Sequence, residues 1–201
     1  MNTNRIERTA RHFHTAHRDG KQYEGAPVEY RPKNLEEAYA AQDRFLELSS
    51  TGSPSVAGYK IAVTSQVIQQ LVGLAHPCLG TIRGGSVHAS PARLAESGFH
   101  HVAVECEIAF TLKNHLVPIR GEQDRESVSV LIESCHSAFE LIEDRYADYS
   151  TMDALSLIAD NCWCGGVVLG PAMTDWQTLA LDQLTGTLEI NGKKVGEGVT
   201  R

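Results

Sequence analysis

The chain has 201 residues and a formal net charge of −7, with a pI near 5.7. That length supports one domain with a substantial core or two small ones, and one domain is the expectation. The acidic balance without a dense Lys/Arg block argues against nucleic acid or an anionic membrane as the main partner. No apolar stretch is long enough to span a bilayer, and the N-terminus lacks the apolar core of a secretory signal, so a cytoplasmic protein acting on a small molecule is expected.

A first helix is expected over Ile6–Ala16. A second follows Asn34 as N-cap, with Glu37 three residues on in a capping-box arrangement and Leu35, Ala38, Tyr39, Phe45 and Leu46 at helical spacing. His12, His14 and His17 do not share one face, so a solvated helix is expected there rather than a metal site. Gly58–Val63 reads as a short strand, and Thr64-Ser65 as the cap of a helix reaching about Leu71. His76-Pro77, Gly84-Gly85 and Ser90-Pro91 mark turns before a strand over Val102–Phe110. Lys113–Gln123 reads as a surface connection, Arg125–Cys135 as a helix and Phe139–Glu143 as a strand. Leu155–Trp163 is a helix or turn leading into a strand over Gly165–Leu169. Thr187–Val195 is a hairpin, with Asn191-Gly192 supplying the positive φ angles of its turn. The pattern is α+β, with a helical segment over residues 1–55 and a β-rich domain over 56–201.

The strand around Glu105 carries the strongest chemical signal. Alternation puts Val102, Val104, Cys106, Ile108 and Phe110 on one face and Ala103, Glu105, Glu107 and Ala109 on the other. Two neighbouring carboxylates repel and resist desolvation, so they need water or a positive partner. A divalent cation between small alanines is one answer, and a solvated sheet face is the other. Glu140, Glu143, Asp144 and Arg145 form a second acidic cluster, in which Asp144 and Arg145 can pair with each other and Glu143 can complete an oxygen-rich site for a hard cation. Lys60, between Tyr59 and Ile61, is either a snorkelling surface lysine or a buried ammonium serving as proton shuttle or clamp. Five cysteines, an odd number without a regular framework, fit reduced thiols. Cys162 and Cys164 are too closely spaced for zinc-ribbon or thioredoxin-like sites and are expected to pack, and Cys106 is expected to behave as a small hydrophobe.

Four motifs occur in order: Gly58-Tyr59-Lys60-Ile61-Ala62-Val63-Thr64-Ser65, the Glu105/Glu107 strand, Glu140-Leu141-Ile142-Glu143-Asp144-Arg145, and Ile158-Ala159-Asp160-Asn161. Together they resemble the fumarylacetoacetate hydrolase superfamily, in its 2-keto-4-pentenoate hydratase and 4-oxalocrotonate decarboxylase branch. The resemblance implies a mixed, largely antiparallel rolled β-sheet with N-terminal helices, homo-oligomeric assembly, and Mg²⁺ or Mn²⁺ held by Glu105, Glu107 and Glu143. It implies Lys60 as the catalytic group near a 2-oxo acid substrate, with Asp160 and Asn161 also at the substrate. Trp163 stands where relatives often have small residues. Relatives typically continue for several tens of residues past the Gly196-Glu197-Gly198 segment, so the β-rich domain is expected to lack their closing elements. The implied activity is hydration of a 2-hydroxy-2,4-dienoate to a 4-hydroxy-2-oxo acid in aromatic-compound breakdown. The alternatives are 4-oxalocrotonate-type decarboxylation, acylpyruvate hydrolysis with a base such as His76, His88 or His136, and a non-catalytic truncated scaffold subunit.

Overall fold

Helix α1 spans Thr3–Arg18 and begins where the Asn2 side chain accepts the Arg5 N–H. Its buried residues Thr9, Ala10, Phe13 and Ala16 form one stripe at helical spacing. Helix α2 spans Leu35–Leu48, and the Asn34 side chain accepts the Glu37 N–H as the capping pattern predicts. The return bond differs from a simple capping box: the Glu37 carboxylate accepts the N–H groups of Lys33 and Asn2, joining the starts of both helices. A computed structural model describes residues 2–50, 55–113, 121 and 123–200.

Strand β1, Val56–Ala62, pairs antiparallel with β2, Cys78–Arg83, and sets Lys60 opposite Gly80. A Cβ on Gly80 would stand 2.8 Å from the Asn161 carbonyl oxygen, so this close approach needs glycine. Between the strands, α3 spans Gln66–Val72, with Ser65 as its cap and Gly73 ending it at φ 78°.

A four-stranded sheet follows the spatial order β3, β6, β5, β4, formed by Val87–Ala89, Cys164–Leu169, Ile132–Glu143 and Val102–Leu112. The helix expected over Arg125–Cys135 is shorter: α4 covers Arg125–Ser129, and the chain turns into β5 at Ile132. Non-local contacts override helical propensity there, because Cys135 exchanges backbone hydrogen bonds with Met173 and packs with Ile132 and Trp176. Helix α5, Ala154–Ala159, is capped by Asp153 and leads through a short turn into β6. Strands β7, Thr185–Ile190, and β8, Lys193–Val199, form the expected hairpin, with Asn191 and Gly192 at φ 53° and 74°. The connection expected over Lys113–Gln123 lies outside the described residues except for Lys113, Gly121 and Gln123. Among the described residues, no helix is long and apolar enough to cross a membrane.

The chain divides into two compact units. The first comprises Met1–Val87, Arg93–Val104 and Leu141–Val167, and the second comprises His88–Ala92, Glu105–Glu140 and Val168–Arg201. In the first, Phe13, Tyr23, Phe45, Leu157 and Trp163 share one core, with the Tyr23 and Trp163 rings edge-on at 5.0 Å. In the second, Ile132, Cys135 and Trp176 pack with Ile108 and Leu181. Cys106 is exposed instead of packed, and Val104 and Phe110 on its face of β4 are also largely open to solvent.

Charge is buried in the first unit. Arg145 is 1% exposed, and its guanidinium lies 2.5 Å from Asp160, whose side chain has no exposure. His17 Nε2 lies 2.7 Å from the other Asp160 oxygen. The expectation of a solvated first helix is thereby corrected: the spacing argument tests only a shared ion site and is blind to a partner 143 residues away. Arg145 likewise pairs with Asp160 and not with Asp144. Removing one member of a buried pair leaves the other charge uncompensated, so Asp160→Ala is expected to lower stability by about 3–5 kcal/mol. Urea unfolding measures this loss, and a change below about 1 kcal/mol would contradict the pairing as a stabilising feature.

Candidate functional site

Alternation along β4 sets Glu105 and Glu107 on one face, and alternation along β5 sets Ser134, His136, Ala138 and Glu140 on one face. Glu105, Glu107 and Glu140 each contribute a carboxylate oxygen to a group whose members all lie within 4.8 Å of one another. Glu105 and Glu107 are exposed, whereas Glu140 is buried at 6% exposure. Three negative groups so close repel one another. An all-oxygen donor set of this kind suits a hard divalent cation, which would relieve that repulsion. Glu140 was readable as an acid near a strand, but its role depends on cross-strand register, for which the sequence supplies no local marker.

Glu143 lies three residues beyond Glu140, and odd spacing reverses the face in a regular strand. Its carboxylate accepts the backbone N–H groups of His100 and His101 at 2.8 and 3.0 Å. Asp144 sits 2.6 Å from His101 Nδ1 and also accepts the Tyr146 N–H and the Tyr149 hydroxyl. This His101–Asp144 pair is a feature that the sequence reading did not single out. Of His76, His88 and His136, it is His136 that shares a β5 face with Glu140. Its Nδ1 lies 2.9 Å from the Gly170 carbonyl, which can only accept, so Nδ1 carries the proton and Nε2 faces the Thr111 and Ser134 hydroxyls at 3.0 Å.

Lys60 is half-buried in the first unit, and its ammonium donates to the Cys162 carbonyl at 3.0 Å. Asp160 is committed to Arg145 and His17. Asn161 clamps Thr81 by accepting its N–H at 2.7 Å and donating to its carbonyl at 2.9 Å. Asn161, Cys162 and Trp163 all take left-handed backbone angles, with φ of 55°, 49° and 54°. That unusual run turns the Trp163 ring into the core beside Tyr23 and Tyr149. The three acids belong to the second unit, while Lys60, Glu143, Asp160 and Asn161 belong to the first.

These features define an α+β protein with a three-carboxylate cluster on a β-sheet face. No family model matches the chain. The chain is 30% identical over 168 residues to a 2-hydroxyhexa-2,4-dienoate hydratase of Comamonas testosteroni, an alignment covering 82% of this chain and 62% of that protein. It is 29% identical over 167 residues to a 2-hydroxypent-2,4-dienoate hydratase of Pseudomonas putida, covering 82% and 73%. It is 26% identical over 198 residues to a 2-keto-4-pentenoate hydratase of Paraburkholderia xenovorans (strain LB400), covering 98% and 72%. The chain thus spans less than two thirds of the first of these relatives. In fold it is similar to the 4-oxalocrotonate decarboxylase of Pseudomonas putida G7 complexed with magnesium and adipate. That match has a TM-score of 0.86 at 20% identity, over 99% of this chain and 74% of that one. The hydratase relatives and the decarboxylase fold match support the resemblance to the 2-keto-4-pentenoate hydratase and 4-oxalocrotonate decarboxylase branch of the fumarylacetoacetate hydrolase superfamily.

The two acids of β5 make opposite predictions. Glu140→Gln is expected to weaken Mn²⁺ binding about tenfold or more, because it removes an anionic donor from the cluster. Glu143→Gln is expected to change that affinity by less than about twofold while lowering the melting temperature, because it weakens acceptors of two backbone N–H groups. Calorimetric titration together with thermal unfolding separates the two, and the reverse pattern would make Glu143 the ligand.

Proposed function

We propose that the chain is a divalent-metal-dependent lyase that adds water to a 2-hydroxy-2,4-dienoate and yields a 4-hydroxy-2-oxo acid. The observation that carries this reading is the Glu105, Glu107 and Glu140 cluster, whose oxygen donors fit Mg²⁺ or Mn²⁺. Relatives named as hydratases of such dienoates support the substrate class. In this proposal Glu140 replaces Glu143 as the third ligand. A cation held there supplies Lewis-acid polarisation of the substrate's 2-oxygen.

Carboxylates engaged with a cation are poor general bases, so proton movement falls to other groups. Lys60 is our candidate to orient the substrate carboxylate or to carry a proton to the far end of the diene. Its bond to the Cys162 carbonyl holds the ammonium in a defined place. Proton delivery there generates a conjugated enone that accepts water at C4. Asp160 and Asn161 act in this reading through position, by fixing the turn that presents the Cys162 carbonyl to Lys60. Homo-oligomeric assembly belongs to the same proposal.

Decarboxylation is the second reading, favoured by the fold match to 4-oxalocrotonate decarboxylase. It calls for the same stabilised 2-oxygen and differs in the bond that breaks. Loss of the ultraviolet absorbance of 2-hydroxypenta-2,4-dienoate, followed with and without Mg²⁺ or Mn²⁺, tests the proposal. Metal-dependent formation of 4-hydroxy-2-oxopentanoate is expected. Turnover of 2-oxo-3-hexenedioate with carbon dioxide release, and none of the dienoate, would overturn hydration in favour of decarboxylation. Cation binding without turnover of either would favour the scaffold. Lys60→Met is expected to lower kcat at least about tenfold while leaving Mn²⁺ affinity within about twofold. Collapse of metal binding in that variant would make Lys60 structural.

A further inference from the structure

The first unit contains a thiol pair that the proposed chemistry does not use. Cys78, at the start of β2, and Cys162, in the left-handed turn after α5, are separated by 84 positions, yet their sulfurs lie 3.7 Å apart. Both residues are buried, at 1% and 2% exposure. Neighbouring groups hold the pair in register. Cys162 Sγ also lies 3.3 Å from the Leu79 carbonyl, Asn161 clamps Thr81 from the same turn, and Lys60 bonds the Cys162 carbonyl. The two sulfurs are therefore fixed by three independent ties between β1, β2 and the turn. A disulfide requires an S–S separation of about 2.05 Å, so side-chain rotation has to close about 1.6 Å.

The two thiols are chemically unequal. Contact with the Cys162 thiol, opposed by burial and aided by the Lys60 ammonium, draws the Cys78 thiol below its ordinary range. Cys162, raised by that same contact and by its burial, is held well above its own. This inequality suits a pair in which one sulfur is attacked first by an oxidant and the other resolves the product.

We infer that Cys78 and Cys162 form a redox-modifiable dithiol, oxidised by a hydroperoxide to an intramolecular disulfide. Cys78 sulfur attacks one peroxide oxygen, so that an S–O bond forms, the O–O bond breaks and the first water or alcohol leaves. The Cys162 sulfur then attacks the Cys78 sulfenic acid, the S–S bond forms, the S–O bond breaks, and water departs with the Cys162 proton. Two thiols lose two electrons in total, and the peroxide is reduced by two. The new bond would tie β2 covalently to the turn whose carbonyl holds Lys60. Peroxide reaches the pair through local opening at the exposed Ala75–Pro77 segment that leads into Cys78.

The test treats the reduced, folded chain with hydrogen peroxide, alkylates it under denaturing conditions and maps the cysteines by mass spectrometry. A mass loss of about 2 Da, a Cys78–Cys162 linked peptide and reversal by dithiothreitol are expected. The oxidised chain is also expected to melt at a higher temperature, because the link closes a long loop. In Cys162→Ser, dimedone is expected to trap a sulfenic acid on Cys78. The inference is overturned if both residues remain fully alkylated after treatment while exposed Cys106 is oxidised. It is equally overturned if the linked peptide arises only from chain oxidised in urea. These readouts are independent of turnover, so they stand apart from the proposed activity.

Discussion

The buried Arg145–Asp160 ion pair is the interaction on which the first unit depends. Taking both charges out of water is costly, and the pair is tolerable because each member is also hydrogen-bonded: Arg145 donates to the Lys21 carbonyl, and Asp160 meets His17. These bonds fasten α1, the segment after β5 and the end of α5 to one another. The left-handed run begins at the next residue, Asn161. With Asp160 anchored, Asn161 reaches Thr81, Trp163 enters the core, and the Cys162 carbonyl meets Lys60. The position of a candidate catalytic ammonium thus traces back to a buried ion pair.

The two units treat their acids in opposite ways. In the first, Glu143, Asp144 and Asp160 are each surrounded by donors: backbone N–H groups for Glu143, His101 and Tyr149 for Asp144, and Arg145 for Asp160. Each of these carboxylates already accepts hydrogen bonds within its own unit. In the second, Glu105, Glu107 and Glu140 converge on one another, and mutual repulsion makes that arrangement receptive to a cation. That convergence within 4.8 Å is the physical basis for proposing Glu140 as a ligand.

Much of the fold was legible because its signals are local. The Asn34 cap, the Ser65 cap, the Asn191-Gly192 turn and the alternation around Glu105 each depend on residues within a few positions, and each element formed where expected. Errors arose where distant contacts prevail. Residues Ile132–Cys135 carry helical spacing yet join β5, because Met173 and Trp176 provide pairing and burial there. Cys106 has the alternation of a buried face, but alternation does not say whether anything covers that face.

For the candidate site, the amino-acid order was enough to nominate Glu105, Glu107 and Lys60, since side-chain type and strand period are properties of consecutive residues. It pointed to Glu143 as the third acid, and it could not bring Glu140 to Glu105 and Glu107, find the Asp160 partners, or bring Cys78 to Cys162. Those pairings join positions tens of residues apart, and they are set by strand register and core packing, which emerge only when the whole chain is folded.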